Sequence, residues 1–185
     1  ESNGALVALA RRRAAEAGLA ERAAFHQGDL FALDLAPATV ITLFLTPDLL
    51  LRLRPSLAAL APGTRLVSNT WTIPGWPADH LETLDEVIGG WRNALLWIVP
   101  ARVEGGWRAD DGVTLALTQR FQQVEGTARA ADGAGEPLAD VELRGEALSF
   151  RAGDARYELR AGADVLAGTV LRAGTTRPWR AARIP

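Results

Sequence analysis

The 185-residue sequence has no cysteine, no methionine, a single tyrosine and two histidines. Without cysteine there are no disulfides and no thiolate chemistry. His26 and His80 are too few and too isolated for a recognisable zinc site, so no metal centre is expected. Lysine is missing as well: all 20 basic residues are arginines, set against 22 acidic residues for a net charge of −2. That balance gives no global attraction to nucleic acid or anionic lipid, and Arg11-Arg12-Arg13 reads as the charged face of a helix. Direct nucleic-acid binding is therefore not expected. No stretch approaches the ~18 consecutive apolar residues of a membrane span, and no charged segment leads into an apolar run as in a signal peptide. No membrane association is expected, and a soluble cytoplasmic protein is the default.

What is present is a 48% apolar composition, enough for one large domain or two small ones with real cores. From residue 1 to about 100 the pattern alternates helix and strand. Asn3 is placed to cap a helix over Gly4–Ala17, with Leu6, Leu9, Ala10 and Ala14 on one face and Gly18 just past its end. Arg22–Gln27 reads as a short strand ending at Gly28. The apolar run Ala38–Leu45 reads as a central parallel strand covered on both faces. Thr46-Pro47-Asp48 supplies an N-cap, an N1 proline and an early acidic residue for a helix carrying Leu49, Leu50, Leu53, Leu57 and Leu60, which Pro55 is expected to divide. Arg65–Asn69 is the next strand, and strands separated by helix-length segments argue for βαβ units and a parallel sheet. After the Trp- and Pro-rich loop Thr70–Asp79, Glu82–Ile88 and Ala94–Val99 read as an antiparallel pair joined by Gly89-Gly90.

Beyond Pro100 the helical period disappears. Short strands are expected over Arg102–Ala109, Val113–Glu125, Thr127–Ala131, Leu138–Arg144, Ala147–Ala152, Ala155–Leu159, Val165–Leu171 and Trp179–Ile184. Turn signals such as Asp111-Gly112, Asp132-Gly133-Ala-Gly135 and Gly153-Asp154 separate them. This spacing points to a small antiparallel β-domain over residues 101–185, a meander or partial barrel.

Glu1-x-Asn3, the helix from Leu6, Phe25-His-Gln-Gly-Asp-Leu-Phe31 and Pro62-Gly-Thr-Arg-Leu-Val-Ser68 occur in the order and spacing of a known family. Over residues 1–100 they resemble class I S-adenosylmethionine-dependent methyltransferases. Thr42-Leu-Phe-Leu-Thr-Pro47, Arg52-Leu-Arg-Pro55 and Val67-Ser-Asn-Thr-Trp-Thr-Ile-Pro-Gly-Trp76 are most similar to the small branch that includes protein-lysine methyltransferases. The resemblance implies an α/β fold: a truncated Rossmann-like methyltransferase sheet, followed by the antiparallel β-domain. It also implies S-adenosylmethionine as cofactor, with Glu1 on the ribose hydroxyls, Asp29 on the adenine amino group and Leu30 beside the ring. The family's first strand and Gly-rich loop have no counterpart here, so the chain is expected to be an incomplete, inactive fragment of a longer parent.

Ligands of such sheets bind beyond the carboxyl ends of the parallel strands. Those ends fall at Glu1, Gly28-Asp29, Thr46-Pro47 and Ser68-Asn69. Thr46 is accordingly placed with the cofactor, and Pro47, Asn69, Thr70 and Trp71 on the methyl-acceptor side. Trp71 has the ring to pack over a cation or an apolar group. No catalytic residue is assigned, and a protein lysine, a small amine and a small oxygen nucleophile all remain open as the acceptor. The β-domain is expected to supply substrate selection or contacts of a homo-oligomer. A noncatalytic protein that binds a partner through the β-domain is the alternative reading.

Overall fold

The computed structural model describes residues 1–88, 91–131, 133 and 135–184, with side chains at all of these except 84–88 and 91. The chain divides into two compact units, Glu1–Pro37 and Ala38–Pro185. The expected Gly89-Gly90 turn, and Asp132 and Ala134 of a later one, lie outside the described residues.

The first unit is built on α1, Gly4–Glu16. Asn3 caps it through a side chain that accepts from the Ala5 amide at 2.9 Å, and Gly18 follows with φ +69°, the left-handed stop that a residue without Cβ makes cheap. Leu6, Leu9, Ala10 and Ala14 line one groove together with Leu19 and Phe25, as their spacing requires, while Val7 is the most deeply buried residue of the helix. Residues 22–27 do not form the expected strand. A strand needs a ladder, and this segment is held instead by single contacts, the Arg11 guanidinium donating to the Phe25 carbonyl and Gln27 Nε2 to the Ser2 carbonyl. The Glu1 amino group donates to the His26 carbonyl at 3.3 Å and the Gly28 amide donates to the Glu1 carbonyl at 3.1 Å. Those two bonds, straddling Gln27, are the pattern of a single parallel pair.

The second unit holds two sheets. In the first, β1 (Val40–Leu43) and β2 (Arg65–Asn69) are parallel and joined through α2 (Pro47–Ala58). β4 (Trp91–Ile98) runs antiparallel to β2, and β3 (His80–Ile88) runs antiparallel to β4. The order β1-β2-β4-β3 makes β1 an edge strand, not the central one expected, because its ladder is formed with β2 on one side. Pro55 does not divide α2. Its missing N–H forfeits one bond, to the Leu51 carbonyl, while Leu50, Leu53 and Leu57 are fully buried at helical spacing and hold the helix together. On the sheet, Leu43, Leu66, Ser68 and Trp97 are buried on one face, and Thr42, Phe44, Val67, Asn69 and Ala94 alternate onto the more open face.

The second sheet has nine strands: β5 (Gly105–Ala109), β6 (Thr114–Arg120), β7 (Gln123–Arg129), β8 (Gly135–Pro137), β9 (Ala139–Arg144), β10 (Ala147–Ala152), β11 (Ala155–Ala161), β12 (Val165–Arg172) and β13 (Thr175–Arg183). Their order, β8-β7-β6-β5-β13-β12-β11-β10-β9, is two meanders joined where the last strand pairs with the first. The sheet curls far enough to bring β7 against β9. Inside, Phe150 stacks on Tyr157 at 4.6 Å and Tyr157 meets Trp179 edge-on at 5.2 Å. The expected strand Val113–Glu125 is broken in two by a two-residue hairpin, Phe121-Gln122, with Phe121 at φ +56°. Gln119 pins the connection between the sheets. Its Oε1 accepts from the Val103 and Glu104 amides at 2.7 and 3.2 Å, and its Nε2 donates to the Ala101 and Phe121 carbonyls at 2.8 and 2.7 Å.

Candidate active site

In the first unit, the parallel pairing of Glu1 with 26–28 sets two carboxylates at the ends of neighbouring extended segments. Glu1 Oε1 accepts from the Asn3 amide at 2.8 Å, a bond that holds its carboxyl below the usual carboxylate range despite the small opposing effect of desolvation. Asp29 caps the short turn Leu30–Ala32, its Oδ1 accepting from the Phe31 amide at 2.9 Å. Both carboxylates are exposed, and each is oriented by a backbone amide on one oxygen, leaving lone pairs to accept from a ligand. Leu30 follows Asp29 as a half-buried apolar side chain. Three of the four expected cofactor residues thus share this unit.

The second unit contributes the carboxyl ends of β1 and β2 and, because β4 is antiparallel, the amino end of β4. There the open face of the sheet carries a crevice of about 390 Å³ lined by Thr42–Phe44, Val67–Asn69 and Arg92–Ala94. Asn69 belongs to it. Thr46 and Pro47 follow β1 as the N-cap and first residue of α2, and both are exposed; the Thr46 side chain makes no capping bond, so its expected capping role is filled by the backbone alone.

The chain leaves β2 through a tight turn at Thr70. The Trp71 amide donates to the Asn69 carbonyl at 2.8 Å, the Thr70 amide donates to the Asn93 carbonyl at 3.0 Å, and Thr70 Oγ1 donates to Asn69 Oδ1 at 2.9 Å. Thr70 has φ +69°, a left-handed conformation that is a true outlier for a β-branched residue. Such positions cost ~1–3 kcal/mol and persist only where surroundings over-determine them, often at functional sites. The turn presents Trp71, 44% exposed, to solvent.

Arg92, exposed at the crevice, and Asn93, which receives the Thr70 amide, were not foreseen from sequence. They enter through β4 register, a long-range pairing with no local motif. His80 pairs with Glu82 at 3.3 Å on the surface and does not line the crevice.

A protein-family profile described as the ANTKMT methyltransferase domain matches residues 1–80. Over these residues the chain is similar to a methyltransferase domain. The chain is 42% identical over 60 residues to a protein-lysine N-methyltransferase of Saccharolobus islandicus (strain REY15A), a match covering 32% of this chain and 37% of that protein. It therefore spans just over a third of the length of this curated relative. It also resembles the crystal structure of an RNA methyltransferase from Salinibacter ruber in complex with S-adenosyl-L-homocysteine, with 38% identity and a TM-score of 0.50 over 56% of this chain and 65% of that one. The matched segment contains all eight site residues expected from the sequence, from Glu1 to Trp71.

Proposed function

We propose that the protein uses S-adenosylmethionine to methylate a protein lysine side chain. The observation that carries this reading is the parallel pairing at Gln27, which sets the exposed carboxylates of Glu1 and Asp29 on adjacent segments inside the stretch that matches a methyltransferase domain. A carboxylate is the group that vicinal ribose hydroxyls and an adenine amino group both recognise, each as donor. Glu1 takes the ribose, Asp29 the adenine edge and Leu30 the ring face, while Thr46 is assigned to the cofactor side of α2. The exposed, amide-oriented carboxylates fit this role.

When bound, S-adenosylmethionine supplies a methyl group on a sulfonium that is already activated. What the chain must add is alignment and an uncharged nucleophile. Pro47, Asn69, Thr70 and Trp71 are assigned to the methyl acceptor. Asn69 offers an amide to orient an amine, and the exposed Trp71 ring suits the aliphatic stem and cationic head of lysine. The acceptor amine must lose its ammonium proton before transfer, which frees the lone pair that takes the methyl group. The match to a lysine methyltransferase favours lysine over a small amine or an oxygen nucleophile. We further assign residues 1–100 to this chemistry and 101–185 to shaping the acceptor side.

The test is methyl transfer by the full-length protein from labelled cofactor to extract of cells lacking its gene, read by mass spectrometry. Methyl groups on lysine side chains are the expected product. Label appearing only on small molecules or RNA would replace the lysine assignment, and no transfer under conditions where the cofactor binds would favour a noncatalytic binding protein.

A further inference from the structure

Resting on that reading of the acceptor side, we propose that Gln122 is a positioning residue for the acceptor loop: the hairpin tip of the second sheet fixes the course of Thr70–Pro77. Gln122 commits both ends of its amide to this loop. Its Oε1 accepts from Trp76 Nε1 at 3.0 Å and its Nε2 donates to the Pro77 carbonyl at 2.7 Å. Beside it, Phe121 stacks on Trp76 with ring centroids 4.7 Å apart and planes within 9°. Arg54 of α2 closes the group, its guanidinium 6.0 Å from the Phe121 centroid and its Nη1 donating to the Pro74 carbonyl. From below, Trp97 Nε1 donates to the Trp76 carbonyl at 2.9 Å.

The loop held in this way begins at the strained Thr70 turn and carries exposed Trp71. A left-handed β-branched residue such as Thr70 persists where its surroundings over-determine it. Asn93 and Asn69 fix the near end, and the Phe121-Gln122 tip fixes the far end at Trp76 and Pro77. The tip is itself held in a costly backbone, with Phe121 at φ +56° where hairpins ordinarily place glycine or asparagine. Two strained positions, one in each sheet's hairpin or loop, are thus tied through one group of contacts. The stack and the Trp97 bond survive loss of the Gln122 amide, so removing it frees the loop without emptying the core.

The experiment compares the full-length protein with Gln122→Ala and Gln122→Glu. It reads hydrogen exchange over Thr70–Trp76, the Kd for S-adenosylhomocysteine, the melting temperature, and KM and kcat for a lysine-containing peptide. Losing two hydrogen bonds in Gln122→Ala should raise loop exchange and peptide KM by roughly tenfold. Cofactor-product Kd should stay within about twofold, because both ends of the Gln122 amide are spent on Trp76 and Pro77. Gln122→Glu keeps the bond from Trp76 and should fall between. Unchanged loop exchange or unchanged KM overturns the proposal, as does a joint shift of KM, Kd and melting temperature, which would mark general destabilisation. A wild type that binds S-adenosylhomocysteine but methylates no lysine peptide defeats the lysine reading alone. In that case the loop exchange of Gln122→Ala decides the positioning role: a rise confined to Thr70–Trp76 supports it, and none refutes it.

Discussion

Replacing Trp76 by alanine removes the side chain that joins the loop to the Phe121-Gln122 tip of the second sheet. Trp76 is 1% exposed, so its truncation loses the transfer free energy of a whole indole and leaves a cavity, together costing ~3–5 kcal/mol. Part of that loss is the parallel stack on Phe121, which adds ~0.5–1.5 kcal/mol beyond area burial. Trp76→Phe keeps a ring for the stack but loses the bond to Gln122, costing about 1 kcal/mol plus a smaller packing loss. The assay is urea unfolding followed by tryptophan fluorescence. All six tryptophans lie between Trp71 and Trp179, so the signal reports only on Ala38–Pro185. A double-mutant cycle with Phe121→Leu isolates the stack and should return a coupling of ~1 kcal/mol. A loss below ~1.5 kcal/mol for Trp76→Ala, set against the large-to-small expectation, or a coupling indistinguishable from zero, would refute the argument that this group ties the loop to the second sheet.

Two further perturbations probe the same unit. Burial pushes the Asp79 carboxyl above its usual range, against the opposing bond from the Ile98 amide at 2.7 Å and the attraction of Arg144. A carboxyl raised on folding binds its proton more tightly in the native state, so its contribution is fully present below the unfolded value and is lost as pH rises through the folded one. Asp79→Asn should therefore become progressively less harmful relative to wild type as pH is raised from the acid range to neutrality in denaturation series; a gap that widens with pH would contradict this. Gln119→Leu leaves the amides of Val103 and Glu104 and the carbonyl of Ala101 without their partner and should cost ~2–4 kcal/mol in the same unfolding assay. A near-neutral effect would mean water replaces the amide and the connection is not pinned there.

The residues that declared themselves in sequence are those whose physics is local. Asn3, Gly18 and the i, i+3, i+4 leucines of α2 determine their own surroundings within a turn or two, and α1, α2 and Arg65–Asn69 emerge where the pattern placed them. Pro55 misled because a helix held by three buried leucines tolerates one missing bond on its surface. Phe121 misled in the opposite direction. An aromatic residue between alternating neighbours reads as strand, and only its stack on Trp76, far away in sequence, rewards the left-handed backbone it adopts. On the candidate site, motif order offers Glu1, Asp29 and Asn69 as candidates, whereas Arg92, Asn93 and Gln122 arrive through register and hairpin placement that no short window contains.

The most direct test is calorimetric titration of the full-length protein with S-adenosylhomocysteine, wild type against Asp29→Ala. If Asp29 accepts from the adenine edge, the wild type binds and the variant binds about tenfold more weakly, a loss of ~1.4 kcal/mol. Equal dissociation constants for the two proteins, or no binding by the wild type, would contradict the cofactor site placed at Glu1 and Asp29.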